Sequence, residues 1–263
     1  MRPYQWRLIV DQPSCGAWNM AVDRAIQLEH AKSRSPATLR IYAWSTPTLS
    51  LGRFQRAENI DLHACASSGI DVVRRPTGGR AVFHCDEVTY AVIAGVQDGI
   101  PSGIKESYGY LATALSAAFV NMGIPIDPVD RTDLTRPKSN SFACYLQLQS
   151  ADLSVDSRKL CGSAQAWYAK TVLQHGSFVR TRDCVREGIA LGLGNEEIAR
   201  LAAETLSLDQ LLGAAPDPEM ITDSIVGAFG AVLGVEFTYG ALSEREETLA
   251  ESLIEEFKVP GQP

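Results

Sequence analysis

Arg74-Arg75-Pro76-Thr77-Gly78-Gly79-Arg80-Ala81-Val82-Phe83-His84 is the stretch on which the reading of this chain turns. It follows a short β-branched run, Ile70-Asp71-Val72-Val73, and leads into a second apolar run, Val88-Thr89-Tyr90-Ala91-Val92-Ile93-Ala94. Runs of this length, rich in Val, Ile and Tyr and bounded by Gly and Pro, are predicted strands. The expectation is a Gly-Gly turn, flanked by arginines, between two strands of one sheet. Two adjacent glycines carry no Cβ, so their backbone N–H groups can approach a ligand closely. Arginines on both sides suit a carboxylate, a phosphate or the phosphate arm of a thioester carrier. On spacing alone a hairpin with a solvated basic turn stays open, because Gly-Gly is a common turn dipeptide.

Working outward, Arg7-Leu8-Ile9-Val10 and Leu39-Arg40-Ile41-Tyr42-Ala43-Trp44 read as strands, with a helix over 14–26 between them and Ser14 as its cap. Ser107 to Met122 is an amphipathic helix that stops at Gly123-Ile124-Pro125. Residues 127–141, rich in Asp, Arg, Thr, Pro and Ser, read as a mobile loop. Asp152 to Leu160 reads as a hairpin that turns near Asp156-Ser157. Helices are predicted over Glu196–Leu212 and near Met220–Leu233. A last one, Glu244–Glu256, is opened by the capping box Ser243-Glu244-Arg245-Glu246. Strands and helices intermix without strict βαβ order, which predicts an α/β fold with a mixed sheet.

The chain has 263 residues, 45% of them hydrophobic, enough for a sizeable core. With 24 Lys and Arg against 31 Asp and Glu, the formal charge of −7 argues against a nucleic-acid binder. An acidic partner would need a local basic patch, for which Arg74, Arg75, Arg80, Arg131, Arg136 and Lys138 are candidates. Solvated charge scattered over loops is the plainer reading of the same residues. The six cysteines form no CxxC pair, Met1 to Arg7 is polar, and no apolar run reaches membrane-helix length. A cytoplasmic protein with reduced thiols and no membrane partner is expected.

Two further segments, Lys159-Leu160-Cys161-Gly162-Ser163-Ala164-Gln165 and Val172-Leu173-Gln174-His175-Gly176-Ser177-Phe178, lie downstream. Together with the Gly-Gly stretch they resemble the superfamily of lipoate ligases, biotin ligases and lipoyl-protein octanoyltransferases. The three patterns occur in the family's order, and Leu51-Gly52-Arg53-Phe54-Gln55 resembles its LG-x-x-Q turn. Two features favour the branch of octanoyl-carrier-protein transferases. Arg80 stands where lipoate ligases usually carry a third glycine, and Cys144 lies where that branch places its nucleophile. The resemblance implies a central mixed sheet flanked by helices, as in biotin/lipoate ligase-like catalytic domains. It implies a single domain over 1–263, with a catalytic core at 34–240 and a C-terminal helix in 241–263.

The same resemblance implies the chemistry. Cys144 attacks the octanoyl thioester of acyl carrier protein. The octanoyl-cysteine thioester then passes to a lysine of a lipoyl domain, such as that of the glycine-cleavage H protein or a 2-oxoacid dehydrogenase E2. Lys159, fifteen residues after Cys144, is the natural cation to favour the thiolate. Taken by themselves, Cys144 reads as a buried core cysteine and Lys159 as a solvated strand residue. Cys161 and Cys85 are weaker nucleophile candidates. The substrate-binding set implied is Arg74, Gly78, Gly79, Arg80, His84, Gly162, Ser163, Ala164, Gln165, His175 and Gly176. Of these, His84 would position the nucleophile or the incoming amine, and His175-Gly176 would shape the pocket wall. Backbone N–H groups near Gly78-Gly79 and Ala164 could line an oxyanion site. The four histidines lack zinc spacing, so neither a metal nor another cofactor is expected. An ATP-dependent lipoate ligase and a non-catalytic lipoyl-domain or carrier-binding protein are the alternatives.

Overall fold

The computed structural model describes residues 3–58, 60–128 and 152–261. Cys144, Arg131, Arg136 and Lys138, with most of the loop expected at 127–141, lie outside the described residues. In chain order the first half comprises β1 (Tyr4–Val10), α1 (Gly16–Ala31), β2 (Thr38–Tyr42), β3 (Thr48–Leu51), α2 (Leu62–Ser67), β4 (Asp71–Arg74), β5 (Val82–His84), β6 (Glu87–Gly95) and α3 (Ile104–Asn121). The second half comprises β7 (Leu153–Val155), β8 (Arg158–Cys161), β9 (Ser163–Tyr168), β10 (Thr171–Val179), α4 (Cys184–Leu191), α5 (Asn195–Glu204), α6 (Leu208–Leu212), α7 (Pro218–Leu233), β11 (Val235–Tyr239) and α8 (Glu244–Phe257).

A six-stranded mixed sheet, ordered β11-β1-β2-β6-β10-β9, forms the centre. β1 runs parallel to β11 and β2, while β6 is antiparallel to β2 and β10. Strand β6 explains the layering. All nine of its residues are buried, because both faces of the sheet are covered. Tyr90, Val92 and Ala94 face Leu111, Leu115 and Phe119 of α3 and Ile225 and Phe229 of α7. The alternate residues Ala91 and Ile93 face Met20, Ala21 and Ala25 of α1, in the cluster that also holds Leu253 and Phe257 of α8. The period of two sorts one continuous apolar run onto two cores. Among the described residues no helix is long and apolar enough to cross a membrane.

Three expectations need correction. The two runs expected in one sheet do not share one: β4 belongs to a second, three-stranded sheet, β4-β3-β5, while β6 is in the central one, and the strands that flank the Gly-Gly turn, β4 and β5, both lie in the small sheet. Nor is the turn a hairpin, because β4 and β5 both pair with β3, one on each side. The helix expected over 196–212 is two helices. Thr205 is extended and bridges to Lys159, and the Leu206 N–H donates to the Lys159 carbonyl at 2.8 Å, so the chain leaves the helix to edge β8. Helix α1 is capped at Cys15 rather than Ser14. The β7–β8 hairpin turns where expected, with Asp156 and Ser157 both at positive φ (50° and 63°). The Asp127 carboxylate accepts both of their N–H groups.

Candidate active site

Between the central sheet, the Gly-Gly turn and α3 lies a cavity of about 1160 Å³. Its wall brings together Gly78, Gly79, His84, Lys159, Gly162, Ser163, Ala164, Gln165, His175 and Gly176. These residues come from three separate stretches of chain.

Lys159 is almost fully buried, and its ammonium is paired with Asp152 at 2.6 Å. A cation is tolerated there because a carboxylate shares the dry environment. Gly162 makes room for the pair. A Cβ on it would stand 2.9 Å from Lys159 Cε, 3.1 Å from Nζ and 3.3 Å from Asp152 Oδ1. Gly176 allows a similarly close approach on β10, where a Cβ would meet the Gly162 carbonyl at 2.7 Å. Cys161 is buried in the core and is not on the cavity wall among the described residues. Burial first, and Asp152 after it, push its thiol up to about 12, which makes it inert. Burial likewise raises Cys85.

The Gly-Gly turn is held by Arg75, which is buried and also lines the cavity. Its Nε and Nη2 donate to the Gly78 carbonyl at 3.2 and 2.7 Å, and Nη2 also donates to the Arg80 carbonyl at 2.7 Å. Nη1 donates to the Ser50 carbonyl at 2.9 Å. Gly79 has φ +95°, the left-handed region that favours glycine. Arg74 braces the neighbouring loop, donating to the carbonyls of Gly52, Arg53 and Gln55 at 3.0, 3.3 and 2.5 Å. Among the described residues lining the cavity, neither Arg74 nor Arg80 is found. The basic patch expected from Arg74 and Arg75 is therefore not formed by them: both guanidinium groups hold backbone carbonyls.

Each histidine of the site is tied to a buried carboxylate. His84 Nδ1 meets Glu87 Oε1 at 2.8 Å, its Nε2 meets Ser50 Oγ at 2.8 Å, and its ring stacks on Trp44 at 4.1 Å. Glu87 Oε1 also accepts from Ser177 and Thr89, each at 2.6 Å. Burial would raise the Glu87 carboxyl, but His84 and these hydrogen bonds together hold it below the usual range. His175 Nε2 meets Thr77 Oγ1 at 2.7 Å, and its Nδ1 faces Asp23 Oδ2 at 3.4 Å. Burial lowers its pKa, with Asp23 opposing. Asp23, itself fully buried, also accepts from Arg40 at 2.8 Å and Tyr42 at 3.0 Å. Burial opposes ionisation of Asp23, but Arg40 and His175 outweigh it and keep the carboxylate charged.

Asp23, Arg40, Arg75, Glu87 and Asp152 are absent from the sequence-derived site. A signal for two of them exists. Asp23 falls three residues from both Met20 and Ile26, on the apolar face of α1, and Arg40 interrupts an apolar strand. Buried charge in such places calls for partners.

Residues 16–230 match the family model described as the lipoyl protein ligase A/B catalytic domain. Octanoyltransferase LipM of Moorella thermoacetica is 39% identical over 249 residues, covering 92% of this chain and 91% of its own. Octanoyltransferase LipM of Symbiobacterium thermophilum is 35% identical, with coverage of 95% and 94%. Among solved structures, a lipoate-protein ligase A bound with ATP superposes with a TM-score of 0.78 at 20% identity, covering 97% of this chain and 95% of that one. A bi-partite lipoate protein ligase from Thermoplasma acidophilum gives 0.77 at 20% identity, with coverage of 96% and 92%. At that identity the two structures speak for the fold, and the sequence matches speak for the family: the chain belongs to the lipoyl protein ligase A/B catalytic-domain family.

Proposed function

We propose that the chain is an octanoyltransferase of lipoate biosynthesis that carries the octanoyl group on Cys144. Similarity to curated LipM octanoyltransferases over more than nine-tenths of the chain supports the octanoyl transfer. The single structural observation that supports the route is the buried Lys159–Asp152 pair on the cavity wall. In the first half-reaction the Cys144 thiolate attacks the thioester carbonyl of octanoyl-acyl carrier protein. A new C–S bond forms to Sγ, and the carrier thiolate leaves and takes up a proton. In the second, the neutral ε-amine of a lipoyl-domain lysine attacks the Cys144 thioester, the C–S bond breaks toward Sγ, and the amine proton passes to the site. Thioester to amide is downhill, so no ATP enters.

Lys159 supplies the positive charge that favours the Cys144 thiolate, and its ammonium can exchange a proton as the carrier thiol leaves. Asp152 pairs with that ammonium at 2.6 Å in a dry site. The Gly78-Gly79 turn and Ala164 offer backbone N–H groups to the tetrahedral oxyanion. The test is intact mass spectrometry after mixing with octanoyl carrier protein in the absence of ATP. An octanoyl adduct is expected on the wild type and none on Cys144→Ser. Transfer that requires ATP, or near wild-type transfer by Cys144→Ser, would overturn this reading.

A further inference from the structure

The arginines that hold the Gly-Gly turn and its loop point inward, but a second group points out beside them. Phe54 is 85% exposed, more than any other large hydrophobic residue among those described. Its backbone is nevertheless fixed. Three carbonyls of the loop accept from Arg74, the Arg53 N–H donates to the Thr77 carbonyl at 2.8 Å, and the Gly52 N–H donates to Gln55 Oε1 at 3.2 Å. Arg53 lies over the Phe54 ring at 5.4 Å. Alongside, Arg24 of α1 lies over Tyr168 of β9 at 4.7 Å, and Tyr168 is 44% exposed. Partial burial and then the like charge of Arg53 lower the pKa of Arg24, with Tyr168 and Glu256 opposing. Two arginine-aromatic pairs from distant parts of the sequence thus share one surface. Arg56, on the same loop, is also exposed and lies 3.9 Å from the exposed Glu58 carboxylate.

This surface adjoins the cavity. Gly52 backs onto Gly79 so closely that a Cβ on it would stand 1.9 Å from the Gly79 carbonyl oxygen, and Gly79 lines the cavity. Exposed aromatic and arginine side chains on a rigid base are the composition of interface anchors. On a chain of net charge −7, a local cluster of arginines selects an acidic partner.

We propose that the Arg53–Phe54 loop, with Arg24 and Tyr168, docks the acceptor: an acidic lipoyl-domain protein whose carboxylates meet these arginines and whose apolar surface covers Phe54. The proposal rests on the acyl-transfer reading above, which supplies the acceptor. Reach decides between the two partners. A lysine amine extends only roughly 6 Å from its backbone, so the acceptor must seat at the cavity rim. A donor whose thioester rides on a long flexible arm can seat farther off.

The experiment uses Phe54→Ala and the charge reversal Arg24→Glu/Arg53→Glu. Octanoyl-enzyme is formed from octanoyl carrier protein, then discharged either to glycine-cleavage H protein or to hydroxylamine. For both variants, kcat/KM with H protein should fall at least tenfold, while acyl-enzyme formation and hydroxylamine discharge keep wild-type rates. The salt dependence of H-protein discharge should flatten in the charge reversal. An unchanged H-protein rate overturns the proposal. So does a loss confined to acylation by the carrier, which would make this the donor's surface, or a parallel loss with hydroxylamine, which would mean a damaged site. If the wild type forms no acyl-enzyme, the covalent reading itself has failed and the docking proposal falls with it.

Discussion

Replacing Gly162 by alanine tests whether the buried Lys159–Asp152 pair governs acyl transfer. The added Cβ would start 2.9 Å from Lys159 Cε and 3.3 Å from Asp152 Oδ1. Carbon atoms rest at about 3.5–4.0 Å, so the pair must give way by roughly 0.6–1 Å. The ammonium and carboxylate now stand 2.6 Å apart. With an effective dielectric of about 20, opening that distance by about 0.8 Å weakens the attraction by ~1.5 kcal/mol. If Lys159 must sit where it does to favour the thiolate, a loss of that size in the transition state slows acylation about tenfold. The same loss in the folded state lowers the melting temperature by roughly 3–6 °C. Rapid-quench intact mass spectrometry gives the acylation rate, and circular dichroism gives the melt. Gly227→Ala in α7 is the control, because its Cβ meets nothing within 4 Å. It should acylate normally and be slightly more stable, as alanine favours a helix interior. A Gly162→Ala enzyme with wild-type acylation and a lowered melting temperature would refute the argument, because the pair would then be structural only.

Lys159→Ala should destabilise the fold by about 3–5 kcal/mol, since the buried Asp152 carboxylate loses its cation, and should slow iodoacetamide alkylation of Cys144 at neutral pH. The double variant Lys159→Met/Asp152→Asn should regain most of the stability in urea melts without regaining the alkylation rate; recovery of both would mean that Lys159 does not act on the thiolate. Glu246, which opens α8 and pairs with Arg7 of β1 at 2.6 Å, has its pKa taken from the ordinary 4.5 to about 2. Burial opposes this, while the bonds from Arg7, Ser243 and Ser35 outweigh it. A depressed carboxyl contributes stability above pH 4.5 that is lost as the pH falls toward about 2. Glu246→Gln should therefore lower the melting temperature at pH 7 and flatten its acid dependence in that window, and an unchanged slope would count against the coupling.

The features of the fold legible in the sequence are those fixed by local rules. The capping box at Ser243 and Glu246, the turn at Asp156-Ser157 and the apolar run of β6 each satisfy a rule within a few residues, and each is found. What depended on distant pairing was missed. Nothing local distinguishes β4 as a partner of β3 from β4 as a partner of β6. Helix α5 ends where Thr205 bridges to Lys159, although the capping box Ser207–Gln210 that opens α6 is a local signal for the break. The site follows the same division. Gly78, Gly79, His84, Lys159 and the Gly162–Gln165 run are legible because they form patterns in sequence, and they do meet on one wall. Asp152 and Glu87 were not, because a lone carboxylate acquires meaning only from the lysine or histidine that the fold sets against it.

Those carboxylates also decide how the site holds together. The glycine turn sits on the small sheet and the Lys159–Asp152 pair on a separate hairpin, so among the described residues no continuous backbone ladder registers one against the other. Buried side-chain chains do so instead. From Asp23 on α1, a chain of contacts runs through His175 on β10 to Thr77 at the turn. From Glu87 on β6, another runs through His84 and Ser50 to Arg75, whose guanidinium grips the turn carbonyls. Each chain begins at a carboxylate that is ionised though buried, and each ends at the same turn. Such networks are costly when incomplete, because a buried polar group without its partner is penalised by about 1–3 kcal/mol. A displaced turn would break both networks at once, so the penalty rises steeply with displacement. Buried charge thereby holds a glycine turn, flexible by composition, in one position against the lysine that shares the cavity wall with it.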